Sequence, residues 1–202
     1  MPQEIILASS SPRRRELLDQ IGVRYHVMVA DIDESALPNE SAEMLVQRLA
    51  QEKAEAVWQL TQEAAGKNKL VLGADTLGVL DGAVLEGQLL VKPTDYDHAH
   101  HMLSSMSGSS HKILSAVAIR HQLGCEVILN VNKVYFKTLT DKEIKNYWQS
   151  GEPQDKAGAY AIQGYGAVFI KRIEGSYSGV MGLPLYETQQ LLNRVNNYNN
   201  EC

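Results

Sequence analysis

Three places in this 202-residue sequence put charge where apolar or neutral residues would be cheaper. The first is Asp75, in Leu70-Val71-Leu72-Gly73-Ala74-Asp75-Thr76-Leu77-Gly78-Val79-Leu80, where only Asp75 and Thr76 carry polar side chains. Aspartate is depleted in strands and costly to desolvate, so a carboxylate here meets a metal, a cation or a substrate, or else caps a turn. The flanking Gly73 and Gly78 would let a ligand or another backbone come close. The second is Lys53. At helical spacing Val46, Leu49, Ala50, Val57, Leu60 and Ala64 form one apolar stripe, and Lys53 falls in its middle. Such an ammonium needs a carboxylate partner, a snorkelling path or a bound anion. If the cation serves a ligand rather than the fold, Lys53→Met keeps stability and weakens activity.

The third is Ala8-Ser9-Ser10-Ser11-Pro12-Arg13-Arg14-Arg15, where arginines crowd the opening turn of a helix. A helix N-terminus already carries roughly half a positive charge. Cations there cost free energy unless an anion is shared between them and the free N–H groups, so small hydroxyls followed by Arg read as a phosphate cradle or as a solvated basic turn. It is not a Walker loop, because GxxxxGK[ST] occurs nowhere in the chain. A fourth segment, Ser150 to Gly164, is dense in Gly, Ala and hydrogen-bonding side chains. Glutamine, present at Gln154 and Gln163, offers both a donor and an acceptor, which suits a pyrimidine edge, and small neighbours admit a planar ring. Read alone, the segment is a connection before it is a site. Glu34, in an acidic loop, and Lys92, before Pro93, are weaker signals. Cys125 and Cys202 have no CxxC partner and no base beside them, so a cysteine nucleophile is not expected.

The elements that must hold these residues follow from periodicity and caps. Glu4 to Ala8 reads as a strand, with Ser11 and Pro12 opening a helix that Gly22 stops. Tyr25 to Ala30 is a second strand, Asp31 to Asn39 an acidic loop, and Ser41 caps a long helix to about Ala65. Leu70 to Leu80 is the most hydrophobic strand, and Asp81-Gly82 turns it into Ala83 to Val91. A helix from Asp95 to Ser107 precedes two β-rich runs, His111 to His121 and Cys125 to Thr138, joined as a hairpin across Leu123-Gly124. Thr140 caps a helix to Gln149. Ser150 to Gly166 is a loop, Ala167 to Ile173 a strand and Pro184 to Val195 the final helix. The Asn-rich tail, Asn196 to Cys202, is expected to fray. Helices interleaved with isolated strands and hairpins predict an α/β fold with a mixed sheet and flanking helices. One domain over residues 1–202 is expected, either undivided or in two lobes around a central cleft.

Composition excludes several classes. Lys plus Arg number 19 against 24 Asp plus Glu, a net charge of −5, which argues against duplex nucleic acid as the main partner. No stretch is long and apolar enough to span a bilayer, and with an acid at Glu4 and an apolar run of only Ile5 to Ala8, Met1 to Ala8 is not expected to act as a signal peptide. Two cysteines in a chain of this length fit a reducing compartment, so the cytoplasm is the expected location.

The ordered strings LASSSPRRRELL (Leu7 to Leu18), RLAQEKA (Arg48 to Ala54), GADT (Gly73 to Thr76), VKP (Val91 to Pro93), SGEPQDKAGAYAIQG (Ser150 to Gly164) and GSYSGVMGLPLYET (Gly175 to Thr188) resemble the Maf family of nucleoside triphosphate pyrophosphatases over nearly the whole chain. The resemblance implies a fold similar to the inosine triphosphatase (Maf/Ham1) superfamily. It also implies hydrolysis of a nucleoside triphosphate between the α- and β-phosphates. Arg13, Thr76 and Gln163 match the residue types of the branch acting on dTTP and UTP. In that reading Asp75 is the proton acceptor, Glu34 and Asp75 hold Mg²⁺ or Mn²⁺, and Ser9, Ser11, Arg13, Lys53 and Lys92 grip the triphosphate. Thr76 and Gln163 read the base. The run Glu86 to Val91 is longer than the family's usual approach to its Lys-Pro pair. Family members are commonly homodimers, and no motif here marks an interface. Two further readings accompany the resemblance: a nucleotide-binding regulator of septum formation without catalysis, and a purine-directed house-cleaning triphosphatase.

Overall fold

The computed structural model describes residues 4–61, 69–80 and 89–200, with side chains as far as 196. In chain order the elements are β1 (Ile5–Leu7), α1 (Pro12–Gln20), β2 (Tyr25–Val27), α2 (Ala42–Leu60), β3 (Val71–Leu80), β4 (Leu89–Leu90), α3 (Tyr96–Met106), β5 (Ser110–His121), β6 (Gly124–Phe136), α4 (Asp141–Gln149), β7 (Ile170–Glu174), α5 (Tyr177–Met181) and α6 (Leu185–Asn200). The strands hydrogen-bond in the order β2-β1-β3-β5-β6-β7, with β4 beside β3. Pairing of β1 with β2 and β3 is parallel, whereas β3 with β4 and β6 with β7 are antiparallel. The sheet is therefore mixed, and helices flank it, as the interleaved pattern implies. None of the helices among the described residues is long and apolar enough to cross a membrane.

The chain divides into two compact units, and β3, β5 and β6 contribute residues to both. One comprises Met1–Thr76, Ser115–Asn130 and Gly182–Cys202, the other Leu77–Leu114 and Val131–Met181. In the first unit α2 begins where Ser41 accepts a hydrogen bond from the Met44 N–H at 3.2 Å. Its apolar stripe buries Val46, Leu49, Ala50, Ala54 and Val57. The helix is shorter than its pattern suggests. Thr61 turns its hydroxyl back onto the carbonyls of Val57 and Trp58, and the helix ends at Leu60 rather than near Ala65. Leu60 is consequently 64% exposed, and Trp58 takes the inward place. Ala64 and the Asp81-Gly82 turn lie outside the described residues.

One glycine fixes how closely β3 approaches α2. A Cβ on Gly73 would overlap the Ala50 carbonyl oxygen and lie 2.8 Å from the Ala54 nitrogen. Strand and helix backbones thus meet one residue from Lys53 and two from Asp75.

The second unit packs Leu90, Met102, Leu103, Met106, Val134, Phe136, Ile144 and Phe169 into one core. Thr140 and Glu143 close a reciprocal capping box on α4. The segment after α4 is not an open loop. Short 3₁₀ turns occupy Glu152–Asp155, Ala157–Ala159 and Tyr165–Phe169, so β7 starts at Ile170 instead of Ala167. The cause is local: the Glu152 carboxylate takes the N–H groups of Tyr165 and Gly166, curling the chain, while Phe169 packs edge-on to Tyr147.

Candidate active site

Lys53, Asp75 and Glu34 meet in the first unit. Lys53 projects from the middle of α2, Asp75 from the middle of β3, and Glu34 from the loop after β2. The Lys53 Nζ lies 2.6 Å from Asp75 Oδ1 and 2.6 Å from Glu34 Oε1. Asp75 is 7% exposed, and the Lys53 side chain is 16% exposed. Glu34 is 61% exposed, so the cluster opens to solvent on its side. Of the three explanations open for Lys53, the carboxylate partner is the one realised. One ammonium serves two carboxylates, and Oδ2 of Asp75 has no hydrogen-bond partner among the described residues. An acceptor oxygen is left over to take a proton or meet a cation.

The acidic loop is not a free solvated stretch. Arg48, one turn before Lys53 on α2, donates to the Ser35 carbonyl at 2.8 Å and to both oxygens of Glu40, at 2.6 and 2.9 Å. Glu40 is 4% exposed and also accepts from the Leu37 N–H at 3.0 Å. The hydrogen bond from Arg48 is the main reason the Glu40 carboxyl sits below its usual range. This anchor ties the residues following Glu34 to the helix that carries Lys53.

The turn from β1 into α1 supplies the cationic face. Ser11 occupies the N-cap, but its hydroxyl bonds no helix N–H, and the first turn holds no acid. The amide of Ser11 donates instead to Ser9 Oγ at 3.2 Å. Ser9 is buried and also accepts from Arg14 Nη1 at 3.0 Å, while Arg14 Nε donates to the Gly182 carbonyl at 2.9 Å. The same carbonyl accepts from Thr76 Oγ1 at 3.4 Å, and the Thr76 hydroxyl lies 3.1 Å from that of Ser115. Burial lowers the Arg14 pKa, Asp75 opposes, Arg13 lowers it further and Glu34 opposes again. Arg14 therefore lies in the field of both carboxylates yet forms no ion pair with any described residue. A guanidinium held by neutral acceptors, at a helix start with undercapped N–H groups, is suited to a phosphate oxygen.

Of the residues expected from sequence, Glu34, Lys53 and Asp75 form one contact group and Ser9, Ser11 and Thr76 belong to another built around Arg14, both in the first unit and linked through the charge of Arg14. Arg13 is half-buried on the same turn. Lys92 and Gln163 belong to the second unit; Lys92 is exposed just after β4, and Gln163 is exposed between two anchored stretches of backbone. Arg14, Arg48 and Ser115 are the residues that sequence reading missed. A signal for Arg14 was present, because it stands three and four residues before the buried Leu17 and Leu18, on the inward stripe of α1. Cys125 is unsuited to nucleophilic chemistry, since burial pushes its thiol up to about 11.

No group of three or more His, Cys, Asp or Glu among the described residues could hold a metal alone. Glu34 and Asp75 bring two carboxylates to one ammonium, and oxygen donors of this kind suit Mg²⁺ or Mn²⁺ in their chemistry.

A family model described as Maf-like protein matches residues 4–195. The dTTP/UTP pyrophosphatase of Pseudoalteromonas atlantica is 52% identical over 191 residues, covering 95% of this chain and 96% of that protein. The dTTP/UTP pyrophosphatase of Escherichia coli O157:H7 is 50% identical over 195 residues, covering 95% and 93% respectively. Among solved structures, the Staphylococcus aureus Ham1 protein aligns with a TM-score of 0.42 at 12% identity, over 66% of this chain and 72% of that one.

Proposed function

The chain belongs to the Maf family, and we propose that it hydrolyses dTTP and UTP between the α- and β-phosphates, releasing the nucleoside monophosphate and pyrophosphate. The observation that carries this reading is the Lys53 ammonium bridging Asp75 and Glu34 in the same unit as the Arg14–Ser9 turn of α1. A base beside cations is what attack of water on a polyphosphate needs.

Asp75 accepts the proton of the attacking water through its unpartnered oxygen. Lys53 fixes the orientation of Asp75 by its 2.6 Å bond and lends positive charge to the reacting phosphate. Arg13, Arg14, Lys92 and the N–H groups after Ser11 neutralise the triphosphate and the charge that grows on leaving pyrophosphate. Ser9 holds Arg14 in place. A divalent cation held by Glu34 and Asp75 would supply Lewis-acid neutralisation of phosphate oxygens. Thr76 and Gln163 read the pyrimidine. In this reading the reaction runs in the cytoplasm, on a free nucleotide rather than on duplex nucleic acid or a membrane.

The test is a panel of pyrimidine and purine triphosphates with pyrophosphate detected as product, run with Mg²⁺, with Mn²⁺ and in excess EDTA. Turnover of dTTP and UTP above the rest, lost in EDTA, is expected. Preference for purines would favour a purine-directed house-cleaning enzyme. Nucleotide binding without turnover would favour a regulatory role, and full rate in EDTA would remove the metal.

A further inference from the structure

We propose that Glu152 and Tyr147 form a clamp that positions Gln163 and thereby sets base selectivity, an inference that rests on the reading of Gln163 as a base-contacting residue. Neither clamp residue is assigned contact with the substrate; both act through the backbone of Ala161 to Gly166.

The clamp is built from one carboxylate and one phenol. The Tyr147 hydroxyl donates to Glu152 Oε1 at 2.6 Å and accepts from the Ala161 N–H at 3.1 Å. Glu152 Oε2 accepts from the Tyr165 N–H at 2.8 Å, and Oε1 accepts from the Gly166 N–H at 3.0 Å. The chain is thus tied two residues before Gln163 and two and three residues after it. Between these ties Gly164 N–H closes onto the Ala161 carbonyl at 3.3 Å. The Gln163 amide itself has no hydrogen-bond partner among the described residues and points its capacity outward from a held backbone.

Space around the clamp is as tight as its bonding. A Cβ on Gly164 would overlap Glu152 Oε2, and one on Gly166 would lie 2.6 Å from the Tyr147 oxygen. Tyr147 is anchored in turn: its ring meets Phe169 edge-on at 4.9 Å, inside the core of the second unit. Burial favours a neutral Glu152, but the bonds from Tyr147, Gly166 and Tyr165 outweigh it and keep the carboxyl below its usual range. The Tyr147 phenol is pushed upward by burial and by Glu152, so it stays a donor.

The physical consequence is preorganisation. An exposed amide on a loose loop must be ordered when the base arrives, at a cost in entropy, and its freedom to turn its donor or acceptor towards the wrong edge lets a mismatched base recover a contact, which blurs discrimination. A held backbone presents the donor and acceptor in one place, so a base with the wrong edge leaves them unpaired.

The test measures kcat and KM for dTTP, UTP and GTP in four variants, with folding followed by thermal melting. Gln163→Ala reports on the base-reading role itself and is expected to reduce the dTTP-over-GTP preference by about tenfold or more. Glu152→Gln places an amide donor against backbone donors, and Tyr147→Phe removes only the hydroxyl while keeping the ring. Both are expected to raise KM for dTTP about tenfold, to lower the same preference and to leave kcat within about twofold. Combining Tyr147→Phe with Gln163→Ala is expected to cost no further selectivity, because the two act through one contact. Preference lost in Gln163→Ala but kept in both clamp variants overturns the clamp alone. Preference kept in Gln163→Ala but lost in Tyr147→Phe overturns the reading of Gln163, and preference kept in all variants overturns both. A lower melting temperature with unchanged KM and preference assigns Glu152 and Tyr147 to the fold only.

Discussion

At the scale of single residues, Lys53 shows how a sequence argument and a geometry can share a premise and differ in outcome. Its place in the apolar stripe of α2 implies that Lys53→Met should leave stability intact. The 2.6 Å bonds to Asp75 and Glu34 reverse that expectation, because removing the ammonium strands a 7%-exposed carboxylate. Lys53→Met is therefore expected to cost about 1–2 kcal/mol, tempered by the solvent access of Glu34, together with most of the activity. Urea denaturation beside steady-state kinetics checks both, and unchanged stability would restore the sequence-based view. Lys53 and Asp75 were legible in the sequence because a charge in apolar surroundings is conspicuous. Arg14 was hidden among three consecutive arginines, which only helix phase separates. Glu34 was barely legible, since an acidic loop residue says nothing about the ammonium it meets.

At the scale of elements, the distance between β3 and α2 decides whether Asp75 reaches Lys53. Gly73→Ala introduces a methyl against the Ala50 carbonyl and the Ala54 nitrogen, both backbone atoms of a helix that cannot yield locally. The strand must retreat. A loss of about 1–3 kcal/mol is expected, as for other overpacked interiors, with a fall in kcat larger than any rise in KM. A variant of wild-type stability and rate would show that the close approach does not set the site. Caps and periodicity made most elements legible: Ser11-Pro12, Ser41, Asp95 and Thr140 all begin helices as their residue types suggest. The segment from Ser150 to Gly166 was not legible as ordered structure. Its turns depend on one carboxylate, Glu152, collecting backbone donors 13 and 14 residues away, and composition carries no record of such pairings. The Arg48–Glu40 anchor was missed for the same reason.

At the scale of the whole molecule, the mixed sheet was legible from the alternation of helices with strands and hairpins, whereas the division into two units was not fixed by any linker in the sequence. Stability should follow a set of carboxylates distributed over both units. Glu40 is held low chiefly by Arg48, Glu55 by Gln59 and Arg120 against burial, Glu152 by Tyr147 and two backbone N–H groups against burial, and Glu143 by Lys137 down to about 2. Each contributes fully above the ordinary carboxylate range and loses its contribution as pH falls through its depressed value. Melting temperature is expected to be level near neutrality and to drop as pH is lowered from about 4.5 towards 2. A melting temperature that rises on acidification would contradict this. The central claim, that Asp75 activates water against the α–β bond of a pyrimidine triphosphate, is met most directly by product analysis of dTTP turnover with the wild type and Asp75→Asn. The account expects thymidine monophosphate and pyrophosphate in equal amounts from the wild type, and a rate at least about a hundredfold lower from a folded Asp75→Asn. Release of orthophosphate and thymidine diphosphate, or an undiminished rate in the variant, would contradict it.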